Sequence, residues 1–198
     1  MDYFDISNQE QPKTGDILIS NPLMGDPHFE RSIIYLCEHS DEGSLGFVLN
    51  KPAKVTLNEV VDGFITEDIP LYLGGPVEQN TLHFIYRANP ELVISEPLVG
   101  GKQIKEDIFM GGEFESLREI YALNTVNDDE IKFFIGYSGW SAGQLDNEIE
   151  ENSWVVVKDP LTKNIFINSS RMHWKDMMSE LGGKYKMMAN YPVDPRLN

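Results

Sequence analysis

The chain has 198 residues, 41% of them hydrophobic and 24% charged, the composition of one globular domain able to bury its own core. Its 32 acidic against 16 basic residues leave a formal charge of −16, which disfavours nonspecific nucleic-acid binding, since that needs Lys and Arg to displace counterions. A single cysteine, Cys37, excludes an internal disulfide and a multi-thiolate metal site, and no apolar run approaches the ~20 residues that span a bilayer.

Residues 1–14 read as a polar tail without the basic end and apolar stretch of a secretory signal, so a cytoplasmic domain over 15–198 is expected. Strand signals then crowd the first half, at 17–19, 32–38 and 44–49, and the polar link 39–43 suits a hairpin loop ending in Gly43. Thr56 followed by Glu59 fits a capping box, predicting a short helix that stops at Gly63. Residues 71–78 and 108–115 share one pattern: apolar, aromatic, apolar, Gly, Gly, any, apolar, Glu. Both read as strands bent at a glycine pair in one sheet. The first continues to a strand at 82–86. The second enters a helix marked by Phe114, Leu117, Ile120 and Tyr121.

Residues 131–137 predict a buried strand, followed by a turn of small residues. Ser141 with Gln144 then fits a second capping box, opening a helix to Glu151. Strands are expected at 153–157 and 164–167, then a helix over 172–181 ended by Gly182 and Gly183, and an irregular tail holding Pro192 and Pro195.

Several motifs in order carry a family likeness. They are the run 21–32 from Asn21 to Ser32, Cys37-Glu-His39, Gly43 to Gly46, Asn50-Lys-Pro52, Leu73-Gly-Gly-Pro76, the stretch 136–148 and Asn152-Ser-Trp154. Together they resemble the YqgE/AlgH family, and Gly-Tyr-Ser-Gly-Trp at 136–140 resembles its Bacteroidetes branch. The resemblance implies a bacterial α+β protein whose mixed, partly split β-sheet curls into a pseudo-barrel with a few helices outside. Its members are often described as transcriptional regulators, and it supplies no catalytic residue to carry over.

Read residue by residue, the chemistry is sparse. Ser138 sits where a nucleophile elbow would need glycine two positions on, and Trp140 stands there instead. Cys37 and His39 lie two apart on a strand and so share a face, the one thiol–imidazole candidate. Histidines 28, 39, 83 and 173 lack metal-ligand spacing, so no metal or cofactor is expected. Glycines 139 and 143 beside a helix start could admit a small anion. The segment holding Tyr137, Ser138, Gly139, Trp140, Ser141 and Gln144 is the candidate binding surface, with Arg87, Arg118 and Arg171 as possible polar contacts. Convergence of Arg31, Asn50 and Gln144 would favour a pocket. The reading is a non-catalytic binding or regulatory module that acts through a protein partner, with self-association open and no direct DNA or membrane contact. The alternative is an enzyme or small-ligand binder that uses 136–148.

Overall fold

The computed structural model describes residues 9–62, 68–123, 126–127, 129–158, 165–166 and 173–192. Strands β1 (Ile17–Ser20), β2 (Ile33–Ser40) and β3 (Gly43–Val48) form an antiparallel meander, with Ser40 opposite Gly43 across a turn of only Asp41 and Glu42. Next, β4 (Pro52–Thr56) runs into α1 (Leu57–Val60) through the expected capping box, in which the Glu59 carboxylate accepts the Thr56 N–H at 2.7 Å. Gly63, expected to end this helix, lies outside the described residues. The chain continues through β5 (Pro70–Leu73), β6 (Val77–Arg87), β7 (Lys102–Lys105), β8 (Ile108–Met110), α2 (Phe114–Leu123) and β9 (Ile131–Ser141). It ends in α3 (Gln144–Glu150), β10 (Trp154–Val157), α4 (Trp174–Glu180) and α5 (Gly183–Met188).

The ten strands make one sheet in the order β10-β1-β2-β3-β9-β6-β8-β7, with β5 and β4 branching from β9. Its described pairings are antiparallel except β5 on β9. The sheet is therefore mixed and split, as the likeness implied, and its path stays open at β10 and β7 without closing into a barrel.

The split is made by β9. Residues 131–135 pair with β5 and β6, whereas 138–141 pair with β3. Gly136, at φ +64°, stands where the partners change, and a Cβ there would lie 2.6 Å from the Val77 carbonyl oxygen. The expected turn at 136–140 is thus corrected: the strand bends at Gly136 but persists to Ser141, because the free edge of β3 at 43–46 offers it a new ladder. Helix α3 accordingly starts later, with Gly143 rather than Ser141 at its cap.

Alternation along buried strands explains the apolar runs. Ile33, Tyr35 and Cys37 face one core cluster, against Trp174 and Met178 of α4 and Met188 of α5. Ile34 and Leu36 face another, with Leu145 and Ile149 of α3. A third cluster joins Leu57 and Leu117 of the first two helices to Phe84, Tyr86 and Phe133. Helices of seven residues are too short to stand alone in water. Helix α3 is held by burying Leu145 and Ile149, worth roughly 1.5–3 kcal/mol each.

The helix α4 does stop before Gly182, but with φ +69° and ψ −168° this glycine is not the left-handed cap read from sequence, and a further helix, α5, occupies 183–188 before the irregular stretch that holds Pro192; Pro195 lies outside the described residues. The strand expected at 164–167 is not present at Ile165 and Phe166, which form a buried 3-10 turn; its remaining residues lie outside the described ones. Residues 9–14 are tied down. Gln9 lies along the edge of β10, its amide donating to the Trp154 carbonyl and accepting the Val156 N–H, both at 2.7 Å.

Candidate functional site

At the hairpin end of the sheet, β2, β3 and β9 enclose an open groove of about 450 Å³. Glu38, Ser40 and Glu42 stand on its hairpin side, Tyr137 and Ser141 on the other, and Leu45 and Val77 supply apolar wall. Register decides this placement. Gly43 pairs with Ser141 and Leu45 with Gly139, so the tips of β3 and β9 bring the polar hairpin against the end of the glycine-rich strand. The loss of side chains at Gly43 and Gly139 keeps the groove open; a Cβ at Gly43 would sit 2.6 Å from the Trp140 carbonyl oxygen.

The candidate surface read from sequence divides between groove and core. Tyr137, Gly139, Trp140 and Ser141 all border the groove. Yet Trp140 is only 5% exposed, stacked with Phe29 at 6.3 Å, and its indole N–H goes to Glu148. Ser138 is fully buried and donates from Oγ to the Gly74 carbonyl at 3.0 Å, so it staples β9 to the β5 end and is no nucleophile. Gln144 accepts the Ser141 N–H at 3.0 Å and donates to Glu148 at 2.9 Å, half of the expected capping box.

Arg31 and Asn50 do meet. Asn50 donates to the Arg31 carbonyl at 2.8 Å and accepts the Ile33 N–H at 3.0 Å. The Arg31 guanidinium, held below its usual pKa by burial, lies 3.9 Å from the centre of the Trp174 ring and donates to the Tyr191 carbonyl. The Arg31 guanidinium is taken up in pinning α4 and the segment after α5, and Asn50 in holding the backbone at 31–33; the side-chain amide of Gln144 is engaged with Ser141 and Glu148 instead. Among the other arginines, Arg87 lies over Phe166 and Arg118 pairs with Glu115, while Arg171 is outside the described residues.

Cys37 is 2% exposed at a bulge in β2, and burial pushes its thiol well above the ordinary range. It donates weakly to the Tyr35 carbonyl at 3.6 Å. A neutral, enclosed thiol is a packing group. His39, its expected companion, instead shares a 2.8 Å hydrogen bond through Nδ1 with Ser44, while its Nε2 lies 3.8 Å from Asp146.

The row Ser44, His39, Asp146 was not legible as a unit in the sequence, because Asp146 lies 107 positions after His39. It has the order of a hydroxyl, a base and an acid. Residues 43–46 of β3, however, are paired on both sides, by β2 and β9, which commits their N–H groups to ladders. An oxyanion would find no backbone donors from this strand. Of the row only Ser44 borders the groove; His39 and Asp146 tie the β2–β3 hairpin to α3.

One buried charge was overlooked by reading 131–135 as simply apolar: Lys132, 3% exposed, its Nζ 4.1 Å from the centre of the Tyr72 ring. Burial lowers its pKa to about 7. A lysine inside an apolar strand was the available signal. Among the described residues no group of three or more His, Cys, Asp or Glu could hold a metal ion, and no helix is long and apolar enough to cross a membrane.

A family model described as AlgH-like matches residues 17–186. The chain belongs to the AlgH-like family. A UPF0301 protein of Cytophaga hutchinsonii is 41% identical over 184 residues, covering 93% of this chain and 98% of the relative. One from Parabacteroides distasonis is 40% identical, covering 96% and 94%. Among solved structures, a Corynebacterium diphtheriae protein superposes with a TM-score of 0.76 at 23% identity, covering 95% of this chain and 97% of that one. The AlgH protein of Pseudomonas aeruginosa gives 0.67 at 23%, covering 93% and 97%. These two likenesses establish the AlgH-like fold.

Proposed function

We propose that this AlgH-like chain is a non-catalytic binding module that receives a basic segment of a partner protein in the groove between the β2–β3 hairpin and β9. The observation that carries the reading is the groove's chemistry: Glu38 and Glu42 line it together with Tyr137 and the apolar Leu45 and Val77. A lysine or arginine side chain satisfies all three elements, with its stem on the apolar wall, its charge near the acids and its face on the ring. Lys102 already pairs with Glu38 at 2.8 Å, but both groups are well exposed, so the pair contributes little and a partner's cation can replace it. The net charge of −16 speeds encounter with a basic partner and opposes nucleic acid. Any effect on transcription then runs through that partner, in the cytoplasm.

Titrating the chain into fluorescent Arg-rich, Lys-rich and neutral peptides of equal length tests this. Anisotropy is expected to show binding of the basic peptides only, weakened at least tenfold when Glu38 and Glu42 are both changed to lysine and by rising salt. Equal binding of the neutral peptide, or no effect of the charge reversal, would rule the groove out.

A further inference from the structure

The groove's two carboxylates are not equivalent. Glu38 stands beside the bulge in β2, and the Lys102 ammonium lies 2.8 Å from its carboxylate. That lysine belongs to β7, which ends the sheet path and pairs with β8, so the curvature of the sheet and not a strand ladder brings it to β2. The same approach sets the Lys105 stem against Gly15, where a Cβ would lie 2.9 Å from its Cδ. Glu42 differs. It is exposed in the two-residue turn of the hairpin, and among the described residues no cation pairs with its carboxylate. The Ser40 hydroxyl fixes its backbone, accepting the Glu42 N–H at 3.3 Å and donating to the Gly43 carbonyl at 3.5 Å. Tyr137, in the same groove, meets the His83 ring edge-on at 5.6 Å and lies over Gly139, where a Cβ would be 3.1 Å from its Cε2.

Resting on the groove as the docking site, we propose that the partner segment presents arginine rather than lysine, read by Glu42 and Tyr137 while Lys102 neutralises Glu38 in cis. A partner cation at Glu38 only exchanges one exposed ion pair for another, which leaves almost no net gain. At Glu42 it forms a pair where none stood. One carboxylate and one ring reward a guanidinium most. Its flat fork donates two parallel hydrogen bonds to the carboxylate, and its face stacks on an aromatic ring. An ammonium is a compact, strongly hydrated point charge without that fork or that face. The apolar Leu45 and Val77 serve the stem of either side chain and do not discriminate.

Anisotropy titrations with Arg-rich and Lys-rich peptides of equal length and charge test this. Wild type is expected to bind the arginine peptide roughly fivefold to tenfold more tightly, from the second hydrogen bond and the stacking. Glu42→Gln should weaken that binding about fivefold, and Glu38→Gln less than about twofold. Lys102→Gln opens Glu38. It should tighten the lysine peptide about two- to fivefold, the range an exposed ion pair spans, and raise the loss from Glu38→Gln to that from Glu42→Gln. Lys54→Gln, the same charge change at an exposed position of β4, should leave both peptides as they were. Equal affinity of wild type for the two peptides, or equal losses from Glu38→Gln and Glu42→Gln in the presence of Lys102, would overturn the arginine preference with the groove intact. Lys102→Gln behaving like Lys54→Gln would overturn the neutralisation in cis. Binding of neither peptide would overturn the groove itself, and the arginine preference with it.

Discussion

Trp140 and Trp154 meet edge to face, ring centroids 6.0 Å apart at 78°, and both indole N–H groups end on one carboxylate oxygen of Glu148, at 2.9 and 2.8 Å. Three elements, β9, α3 and β10, are joined at that atom. Because both indoles are buried, removing the acceptor leaves two dry donors unmatched. Glu148→Ala is expected to lower stability by roughly 3–6 kcal/mol, at about 1.5–3 for each hydrogen bond to a charged group. Glu148→Gln, which keeps an acceptor oxygen, should cost well under half of that. Urea midpoints followed by tryptophan fluorescence decide it; two variants alike and close to wild type would show that the indoles need no acceptor.

Gly74 is one of the places where the chain crosses itself closely. A Cβ there would lie 2.3 Å from the Gly136 carbonyl oxygen, and the Gly74 carbonyl accepts both the Val48 N–H at 2.9 Å and the Ser138 hydroxyl. Gly74→Ala must therefore move backbone, and a loss above about 4 kcal/mol or failure to fold is expected. Gly143→Ala is the control: nothing lies within 4 Å of its Cβ, and only its φ of +69° resists, at roughly 1–2 kcal/mol. Comparable losses in the two variants, measured by chemical denaturation, would refute the crossing as the reason for glycine at 74.

Lys132 links stability to pH with a definite sign. Its pKa falls from 10.5 in the open chain to about 7 in the fold, so between those values the unfolded state binds more protons and stability rises with pH. Below about pH 7 the full penalty applies; above about 10.5 it vanishes. The shift corresponds to roughly 4–5 kcal/mol, more than the ~2 kcal/mol that a desolvated cation–π contact with Tyr72 returns, which is why the neutral form gains ground. Relative to Lys132→Met, wild type is thus expected to gain stability by several kcal/mol as pH is raised from about 7 to about 10. A pH-independent difference in their urea midpoints would contradict a lowered pKa.

Much of the fold could be read directly. Apolar runs marked β1, β2, β3 and β10, glycine pairs marked the ends of β5 and β8, and the pattern from Phe114 to Tyr121 marked α2. What escaped was short or polar: β4 and β7 carry Pro52, Lys102 and Gln103 and exist because a neighbouring strand pairs with them. The continuation of β9 past Gly136 was hidden for the same reason, since its small residues resemble a turn until β3 is set beside them.

By itself, then, the sequence determined the α+β class, the family and the exclusion of a disulfide, because composition, periodicity and ordered motifs are properties of the chain. Which groups share a surface was decided only by the tertiary structure. Strand register, set by long-range ladders, turned Ser138 and Trp140 inward, separated Gln144 from the Arg31–Asn50 contact, and placed Glu38 and Glu42 with Tyr137 around one groove. Burial, which no single residue encodes, made Lys132 a weak base and Cys37 a silent thiol.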